Sequence, residues 1–182
     1  MYVQHQTSRD SGLVIWLTGI PGSGKTTTAR GLYEQLCKKG LRVEILDGDE
    51  VRENLSPELG FSRQDRDLNA KRVTYITRLL SRNGITTIVA LVSPFRSTRE
   101  YARLAIGSKF VEVWVKCSVE TCSKRDVKGL YKKAFEGEIT NLTGVQDSYE
   151  PPVNSDVVIN TEFQNPEECV QQIVTALAKH DV

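Results

Sequence analysis

The chain has 182 residues, of which 39% are hydrophobic and 26% charged, and its 24 Lys and Arg against 23 Asp and Glu give a formal net charge of +1. The length favours a single domain, and the charge balance argues against a general nucleic-acid binder, which is normally basic. Because no apolar run approaches the roughly 18 residues of a membrane span and residues 1–11 lack the apolar core of a signal peptide, we expect no membrane partner, a flexible polar tail over residues 1–11 and one domain over residues 12–182.

The first predicted elements are a buried strand at Leu13–Thr18 and a helix at Thr26–Lys39, joined by the glycine-rich loop GIPGSGKT. The loop fits the pattern G-x-x-x-x-G-K-[ST] in the strand–helix context that this motif requires. Its N–H groups and the helix N-terminus attract phosphate oxygens, Lys25 reaches the β- and γ-phosphates, and the Thr26 hydroxyl ligates Mg²⁺. The residues predicted to bind ATP here are Gly19, Gly22, Ser23, Gly24, Lys25, Thr26 and Thr27.

Two carboxylates follow the second predicted strand, Arg42–Leu46. Asp47 and Asp49 are two residues apart, so an extended segment would point both side chains the same way, toward the phosphate loop. One carboxylate could organise Mg²⁺ and take the proton of the acceptor, while the other holds the acceptor. We assign the metal to Thr26 and Asp47. The alternative is a DGD turn with solvated carboxylates.

A long helix is predicted from a Ser62 cap to Arg82. Its inner face is expected to carry Val73, Ile76 and Leu80. Arg66 and Asn69 are three residues apart and share a helix face, and Arg52 lies nearby in the sequence. Arginine forks of this kind would bind an acceptor that carries its own anionic group. The alternative is a solvated, charged helix face.

The third predicted strand, Ile85–Val92, is rich in β-branched residues, as expected for a central parallel strand that is buried on both sides. Ser93, Pro94 and Phe95 follow it, and the next helix is predicted to run to about Ile106. Phe95 could stack on a flat ring at the mouth of a pocket or belong to the core. The Ser-Pro turn could merely end the strand.

The remaining predicted elements are the strand Phe110–Lys116, a short helix from a Ser118 cap to about Arg125, the strand Asp156–Asn160 and a helix opened by a capping box at Asn165 and Glu168. Residues 126–152 are polar and show no strong periodicity. We expect residues 126–150 to form a mobile lid that keeps water away from the reacting phosphate. The alternative is a surface excursion with solvated lysines.

The alternation of strands and helices predicts an α/β fold of three layers, with a mostly parallel sheet between helices on both faces, as in the P-loop nucleoside triphosphate hydrolases. Ligands of such sheets bind at the carboxyl ends of the strands, and the motifs after Thr18, Leu46 and Val92 fall at those ends. The phosphate loop alone fits a kinase, a GTPase switch or a motor. The short chain and the absence of an NKxD-type guanine motif favour a small-molecule kinase.

The four cysteines are interpreted as reduced thiols of a cytoplasmic protein. They form no CxxC pair, and with only two His in the chain they lack the partners of a zinc site. Most of them are expected to fill the core. The alternative that the sequence leaves is a regulatory disulfide between two of them.

Five stretches together resemble the adenylyl-sulfate kinase (APS kinase) family: GIPGSGKTT, LDGDEVRENLSPELGFSRQDRDLN, SPFRSTR, RDVKGLYKKAFEGEITNLTG and SYEPP. They follow the order and spacing of that family over about residues 12–182, and KGLYKKA with DGDxxR and GFSxxDR is far more specific than the loop. The resemblance implies Mg²⁺-dependent phosphorylation of the ribose 3′-hydroxyl of adenosine 5′-phosphosulfate (APS) by ATP. The product, 3′-phosphoadenosine 5′-phosphosulfate (PAPS), belongs to sulfate assimilation. A homodimer is the common assembly of the family.

The resemblance also implies the residues of the site. It assigns APS to Asp49, Arg52, Phe61, Arg66, Asn69, the backbone of Val92 and Ser93, Lys128 and Leu142. We add Pro94 and Phe95 to the APS site and Arg125 to the ATP site, and we assign catalysis to Lys25, Asp47, Asp49 and Ser93. Leu142 stands where the family commonly has Phe, so it can cover an adenine face without π-stacking. Ser93 matches a position described in the family as a phosphoserine intermediate. We interpret Ser93 as a substrate contact, because in-line transfer needs no covalent step.

Two other functions remain possible from the sequence. One is a P-loop kinase for another small anionic acceptor, and the other is a non-catalytic nucleotide-binding regulator. A kinase for an uncharged acceptor would not need the arginines or the cationic KGLYKKA segment. A regulator would be expected to lack Lys25, Asp47 or the lid cations, and all of these are present.

Overall fold

The computed structural model describes residues 11–180, so residues 1–10 of the expected tail lie outside the described part. Within it, five parallel strands form one sheet in the order β2-β3-β1-β4-β5. The strands are β1 Val14–Thr18, β2 Val43–Asp47, β3 Thr86–Ala90, β4 Phe110–Lys116 and β5 Val157–Asn160. The helices are α1 Lys25–Lys38, α2 Gly48–Leu55, α3 Arg63–Arg82, α4 Arg96–Ile106, α5 Val119–Arg125, α6 Leu130–Phe135 and α7 Pro166–Leu177.

The central strand β1 separates two hydrophobic cores. Ile15 and Leu17 pack on one face with residues of α1 and α7, whereas Val14 and Trp16 pack on the other face with residues of α2, α3 and α4. Every residue of β1 is buried, which explains its continuous apolar sequence. The predicted three-layer α/β fold with a parallel sheet is therefore confirmed.

Local capping signals placed several element boundaries correctly. The Ser62 hydroxyl accepts a hydrogen bond from Asp65 N at 3.1 Å at the start of α3. Asn165 and Glu168 form the predicted capping box at the start of α7. These caps satisfy backbone N–H groups that the first helical turn leaves without partners.

The segment after β2 is helical, and the expectation of an extended DGD segment is wrong. Asp47 is the N-cap of α2, and its Oδ1 accepts a hydrogen bond from Asp49 N at 3.2 Å. Asp49 and Glu50 occupy the first turn, where carboxylates interact favourably with the helix dipole. Hydrophobic periodicity could not indicate this helix, because Val51 is its one buried residue.

The buried face of α3 is more polar than predicted. Its buried residues are Asn69, Ala70, Val73, Thr74, Thr77 and Ser81, whereas Ile76 and Leu80 are only half-buried. The Ser81 hydroxyl donates to Gly12 O at 2.6 Å, so a small polar side chain here serves the close approach of α3 to the chain entering β1. Among residues 11–180, no helix, α3 included, is long and apolar enough to cross a membrane.

Residues 126–152 contain structure that the sequence did not predict. Helix α6 lies within this segment, and the Asp126 carboxylate caps it by accepting hydrogen bonds from Tyr131 N and Lys132 N, both at 3.0 Å. A small hydrophobic cluster forms from Ile20, Cys122, Tyr131, Ala134 and Leu142. Because Ile20 belongs to the phosphate loop, this cluster packs the expected lid against that loop. The mobility of the lid stays a prediction.

Candidate active site

The phosphate loop connects β1 to α1 as predicted. Gly24 is the N-cap of α1 with φ of 94°, a left-handed conformation that favours glycine. A Cβ on Gly19 would lie 2.6 Å from Val115 O and 2.7 Å from Ser23 Oγ, so only glycine fits there. The loop thus leaves N–H groups at the N-terminus of a 14-residue helix, an arrangement that attracts phosphate.

Lys25 folds back onto its own loop. Its ammonium group donates hydrogen bonds to Gly19 O at 2.8 Å and to Ile20 O at 2.9 Å. Burial of this group lowers the pKa of Lys25 to about 8, while nearby groups including Asp47 raise it and oppose part of that shift. A phosphate oxygen at this position would compensate the desolvated charge better than carbonyl dipoles do.

Thr26 and Asp47 come together as predicted for a metal site. The Thr26 hydroxyl donates to Asp47 Oδ2 at 2.7 Å, between the first turn of α1 and the end of β2. Hydroxyl and carboxylate oxygens are hard ligands, which suits Mg²⁺ bound through one carboxylate with phosphate oxygens and water. The donors therefore fit the predicted ion.

Asp47 and Asp49 do not point the same way. Asp47 turns toward Thr26, whereas Asp49 forms an ion pair with Lys128 of the expected lid. The reason is the helical turn that starts at Gly48, which rotates Asp49 away from the direction of Asp47. The pair consequently joins the expected lid to the first turn of α2, a contact that sequence spacing could not predict.

An arginine-lined pocket of about 250 Å³ lies between the start of α3, the loop after β3 and the expected lid segment. It is lined by Phe61, Ser62, Arg63, Arg66, Phe95, Asn141, Asp147 and Ser148. Phe61 is half exposed, and the guanidinium groups of Arg52 and Arg66 lie 4.4 Å and 5.4 Å from its ring centroid. Burial and the neighbouring Arg66 charge lower the pKa of Arg52. Two close cations beside an exposed aromatic ring suit a flat ligand with anionic groups.

Arg66 and Asn69 share the helix face that the sequence predicted. Arg66 donates to Phe61 O and Asn141 O, both at 2.8 Å, and to Asp147 Oδ2 at 3.1 Å, so it is bonded to the protein and not solvated. Asn69 is buried, and its Oδ1 has no hydrogen-bond partner within residues 11–180. A buried acceptor without a partner is costly unless a ligand or water completes it.

The loop after β3 is held from several sides. Ser93 has φ of 42°, and its hydroxyl accepts a hydrogen bond from Trp16 Nε1 at 3.0 Å. The Thr18 hydroxyl donates to Val92 O at 2.8 Å. Pro94 is buried, and Phe95 is largely buried with one side in the pocket, where the Arg63 guanidinium lies 4.3 Å from its ring centroid. Phe95 is thus buried and also lines the pocket, and its stacking on a flat ring stays a prediction.

Two predicted site residues lie away from this pocket. Arg125 donates to Thr161 O at 2.5 Å and reaches Gly22 O at 3.5 Å, which places it beside the phosphate loop. Leu142 is buried in the cluster with Ile20 and Tyr131 and does not line the pocket. Its side chain supports the lid, and covering of an adenine face by Leu142 stays a prediction.

Sequence reasoning missed several residues that shape the site. Thr161 follows β5 and donates to Ser23 O at 2.8 Å, so the strand-end rule applied after Leu46 and Val92 would have found it. Trp16 and Tyr149 gave no signal, because a buried Trp resembles any core residue and Tyr149 reaches Thr18 Oγ1 at 3.0 Å across 131 positions of sequence. Burial raises the pKa of Tyr149 to about 12, so it stays protonated.

Comparison with known proteins gives a consistent result. A family model described as adenylylsulphate kinase matches residues 11–160. A probable adenylyl-sulfate kinase from Pseudomonas aeruginosa is 49% identical over 163 residues, covering 90% of this chain and 76% of the relative. An adenylyl-sulfate kinase from Synechococcus sp. (strain JA-3-3Ab) is 47% identical over 169 residues, covering 93% and 96%. The APS kinase of Mycobacterium tuberculosis, solved in complex with AMPPNP and APS, has a TM-score of 0.89 at 36% identity, covering 92% of this chain and 98% of that one.

Proposed function

The chain belongs to the adenylylsulphate kinase family, and we propose that it phosphorylates APS with ATP. The bond from the γ-phosphorus to the β–γ bridging oxygen breaks, a bond to the ribose 3′-oxygen forms, and the hydroxyl proton is released, giving ADP and PAPS. The observation that carries the proposal is helix α2, which links two halves of a site. Asp47 at its start contacts Thr26 of the phosphate loop, and Arg52 further along contacts Phe61 of the pocket.

We place ATP on the phosphate loop, with its triphosphate at the N-terminus of α1. The contacts proposed are Gly19, Gly22, Ser23, Gly24, Lys25, Thr26, Thr27 and Arg125. Thr26 Oγ1 and Asp47 Oδ2 would hold Mg²⁺, which when bound offsets the negative charge on the β- and γ-phosphates. Lys25 would leave its carbonyl partners for the phosphate oxygens that give it a full opposite charge.

We place APS in the pocket around Phe61. The adenine ring would lie against the exposed face of Phe61, and Arg52, Arg66 and Lys128 would bind the phosphosulfate. The partnerless Oδ1 of Asn69 supports a donor from the ligand at the same helix face. The backbone of Val92 and Ser93, with Pro94 and Phe95, would close the pocket from the sheet side.

The two carboxylates would serve different steps because they point in different directions. Asp47, next to Thr26, would organise the metal and accept the proton of the 3′-hydroxyl. Asp49, paired with Lys128, would hold the acceptor and keep the lid cation over it. Phosphoryl transfer needs little more than such positioning and charge stabilisation.

We propose that Ser93 contacts the substrate and is not phosphorylated. Its hydroxyl is buried and bonded to the indole of Trp16, and within the described chain no carboxylate or imidazole is recorded as bonded to that hydroxyl to activate it. A nucleophilic serine needs an adjacent base. The direct in-line transfer described above requires no such intermediate.

The proposal extends to the lid, the assembly and the compartment. Residues 126–150 would close over the reacting phosphate and exclude water, guided by the Lys128–Asp49 ion pair. A homodimer is proposed from the family resemblance. All four cysteines are free thiols in the structure, which supports a reducing compartment such as the cytoplasm.

The decisive experiment measures ATP-dependent ADP release with APS and, in parallel, with nucleosides, shikimate and gluconate. We expect turnover with APS and formation of PAPS, identified by mass and by the 3′ position of the new phosphate. ADP release with another acceptor but none with APS would reject the proposal.

A further inference from the structure

Arg99 of α4 is a buried arginine whose guanidinium group joins three separate parts of the chain. Its side chain is 3% exposed. Nε donates to Glu112 Oε1 at 2.7 Å, Nη1 to Ser93 O at 2.6 Å and Nη2 to Glu150 O at 2.7 Å. One planar group therefore fixes β4, the loop after β3 and the end of the lid segment relative to one another.

The end of the lid segment is tied to the same loop by backbone hydrogen bonds. Glu150 N donates to Pro94 O at 2.9 Å, and Arg96 N donates to Glu150 Oε2 at 2.8 Å. Arg96 Nε also donates to Pro151 O at 2.8 Å. The loop after β3 and the segment around Glu150 thus form one hydrogen-bonded unit, with Arg99 on its buried side.

The counterion of Arg99 is itself held in place. Asp156 Oδ2 accepts a hydrogen bond from Glu112 N at 2.8 Å, and Arg103 bridges Glu112 Oε2 at 3.4 Å and Asp156 Oδ2 at 2.9 Å. Buried ion pairs gain stability only when good geometry and further hydrogen bonds offset their desolvation. The pair of Arg99 and Glu112 has both the short distance and the further hydrogen bonds. The protein itself therefore fixes the direction of the Arg99 guanidinium group.

We propose that Arg99 is a positioning residue for phosphoryl transfer, which holds the Val92–Phe95 loop and the lid end at Glu150 together so that the loop backbone meets the acceptor. This rests on the proposed function. The left-handed φ of 42° at Ser93 costs energy for a non-glycine residue, and the bond from Arg99 to Ser93 O stabilises that conformation. Lysine cannot replace this role, because a point charge lacks the fork that reaches three acceptors.

The kinetic test compares R99K with R103K in the full chain. Arg103 is the matched control, since it shares Glu112 but has no recorded bond to the loop or to Glu150. We expect R99K to raise KM for APS by about 10- to 100-fold, because a small misplacement of the loop backbone can cost up to about 100-fold, with KM for ATP nearly unchanged. R103K should leave both constants near wild type, because lysine keeps the positive charge beside Glu112 and Asp156 while Arg99 keeps its own bond to Glu112 Oε1. Equal effects of R99K on APS and ATP, or equal effects of both variants, would overturn the proposal.

A second variant, R99A, removes the whole guanidinium group. R99A removes the hydrogen-bond partner of the buried Glu112 Oε1 and is expected to be less stable. Added guanidinium ion should restore APS turnover to R99A, because it can occupy the vacated buried position, and should leave turnover of R78A, a variant of an exposed arginine of α3, unchanged. An equal rise in both variants, or no recovery of R99A while it remains folded, would contradict a positioning role.

Hydrogen exchange separates this inference from the proposed function. In the ligand-free protein, the amide of Glu150, which donates to Pro94 O, should lose protection in R99K and keep it in R103K. An unchanged rate in R99K rejects the inference even if APS is the substrate. If the wild type is inactive with APS but the Glu150 amide still exchanges faster in R99K than in R103K, the proposed function is rejected. The coupling of loop and lid through Arg99 is then retained.

Discussion

Lys25 carries a charge that the free protein stabilises poorly. Its ammonium group has only carbonyl and hydroxyl partners, and burial lowers its pKa to about 8. A bound phosphate adds a full negative charge and must raise that pKa again. The protonation state of one side chain is thereby linked to nucleotide binding.

This linkage predicts a pH dependence with a definite sign. Because the pKa of Lys25 is higher in the complex than in the free protein, affinity for ATP is greatest below pH 8 and falls as the pH rises above it. Binding at pH 9 should take up close to one proton. Calorimetry with AMPPNP in buffers of different ionisation enthalpy measures this uptake. In K25R, whose guanidinium stays charged, the uptake should disappear; persistence would show that another group titrates.

Among residues 11–180, Asp47 is the carboxylate that bonds to Thr26 at the end of the phosphate loop. D47N should lower turnover by roughly 100- to 10,000-fold, the range for losing a general base, while the APS dissociation constant changes little. E50Q, at an exposed position on the same helix, serves as the control. Stopped-assay turnover together with APS binding by calorimetry distinguishes the two effects. Near-normal turnover of D47N would remove Asp47 from the chemistry.

At the scale of elements, the first turns of α3 form one wall of the pocket and carry the charged residues Arg63 and Arg66. Arg66 lies one turn before Asn69 and is bonded to the lid residues Asn141 and Asp147. Arg66 therefore has two roles. Its guanidinium group holds the expected lid, and it also lies beside the exposed ring of Phe61. Within residues 11–180 its Nη1 has no hydrogen-bond partner, so this donor can meet an anion in the pocket while Nη2 stays paired with Asp147.

For R66A we expect an APS dissociation constant about 10- to 150-fold higher, as for a lost charged hydrogen bond, with ATP affinity unchanged. R78A removes an exposed arginine from the same helix and should leave both affinities intact. Fluorescence or calorimetric titration of each nucleotide provides the measurement. An unchanged APS affinity in R66A would exclude Arg66 from the acceptor site.

The elements that sequence reasoning found are those with a local physical signal. Ser62 and Asn165 cap helices through side chains three residues from their partners, a pattern visible in any short window. Helix α2 was missed because Asp-Gly-Asp suits a turn as well as a cap. Helix α6 was missed because its buried residues, Tyr131 and Ala134, contact a cluster that includes Ile20, far away in the sequence.

At the scale of the whole molecule, the site is assembled from segments that are remote in the chain. Arg66 and Asp147 are 81 positions apart, and Asp49 and Lys128 are 79 apart. The chemistry of each residue could be inferred from its type and its place at a strand end. Which residues meet depends on the strand order, and periodicity alone does not determine that order.

The joint between lid and phosphate loop is one such long-range contact. The Tyr131 hydroxyl donates to Pro21 O at 2.8 Å, and its ring is fully buried. Y131F should raise KM for ATP by about 2- to 10-fold and lower the free energy of unfolding by about 1 kcal/mol, the net value of one hydrogen bond. Y75F, at an exposed tyrosine of α3, is the control. Unaltered ATP kinetics in Y131F would show that the lid does not brace the loop.

The position of Thr161 late in the chain has a consequence for folding during translation. The phosphate loop is translated early, yet its Ser23 carbonyl is bonded by Thr161, and Arg125 is bonded to the carbonyl of that same threonine. A nascent chain cannot complete these bonds until β5 has left the exit tunnel and paired with β4. We therefore expect nucleotide capture to be a late event in synthesis, so a stalled chain that ends before β5 should bind ATP weakly despite containing the entire glycine-rich motif.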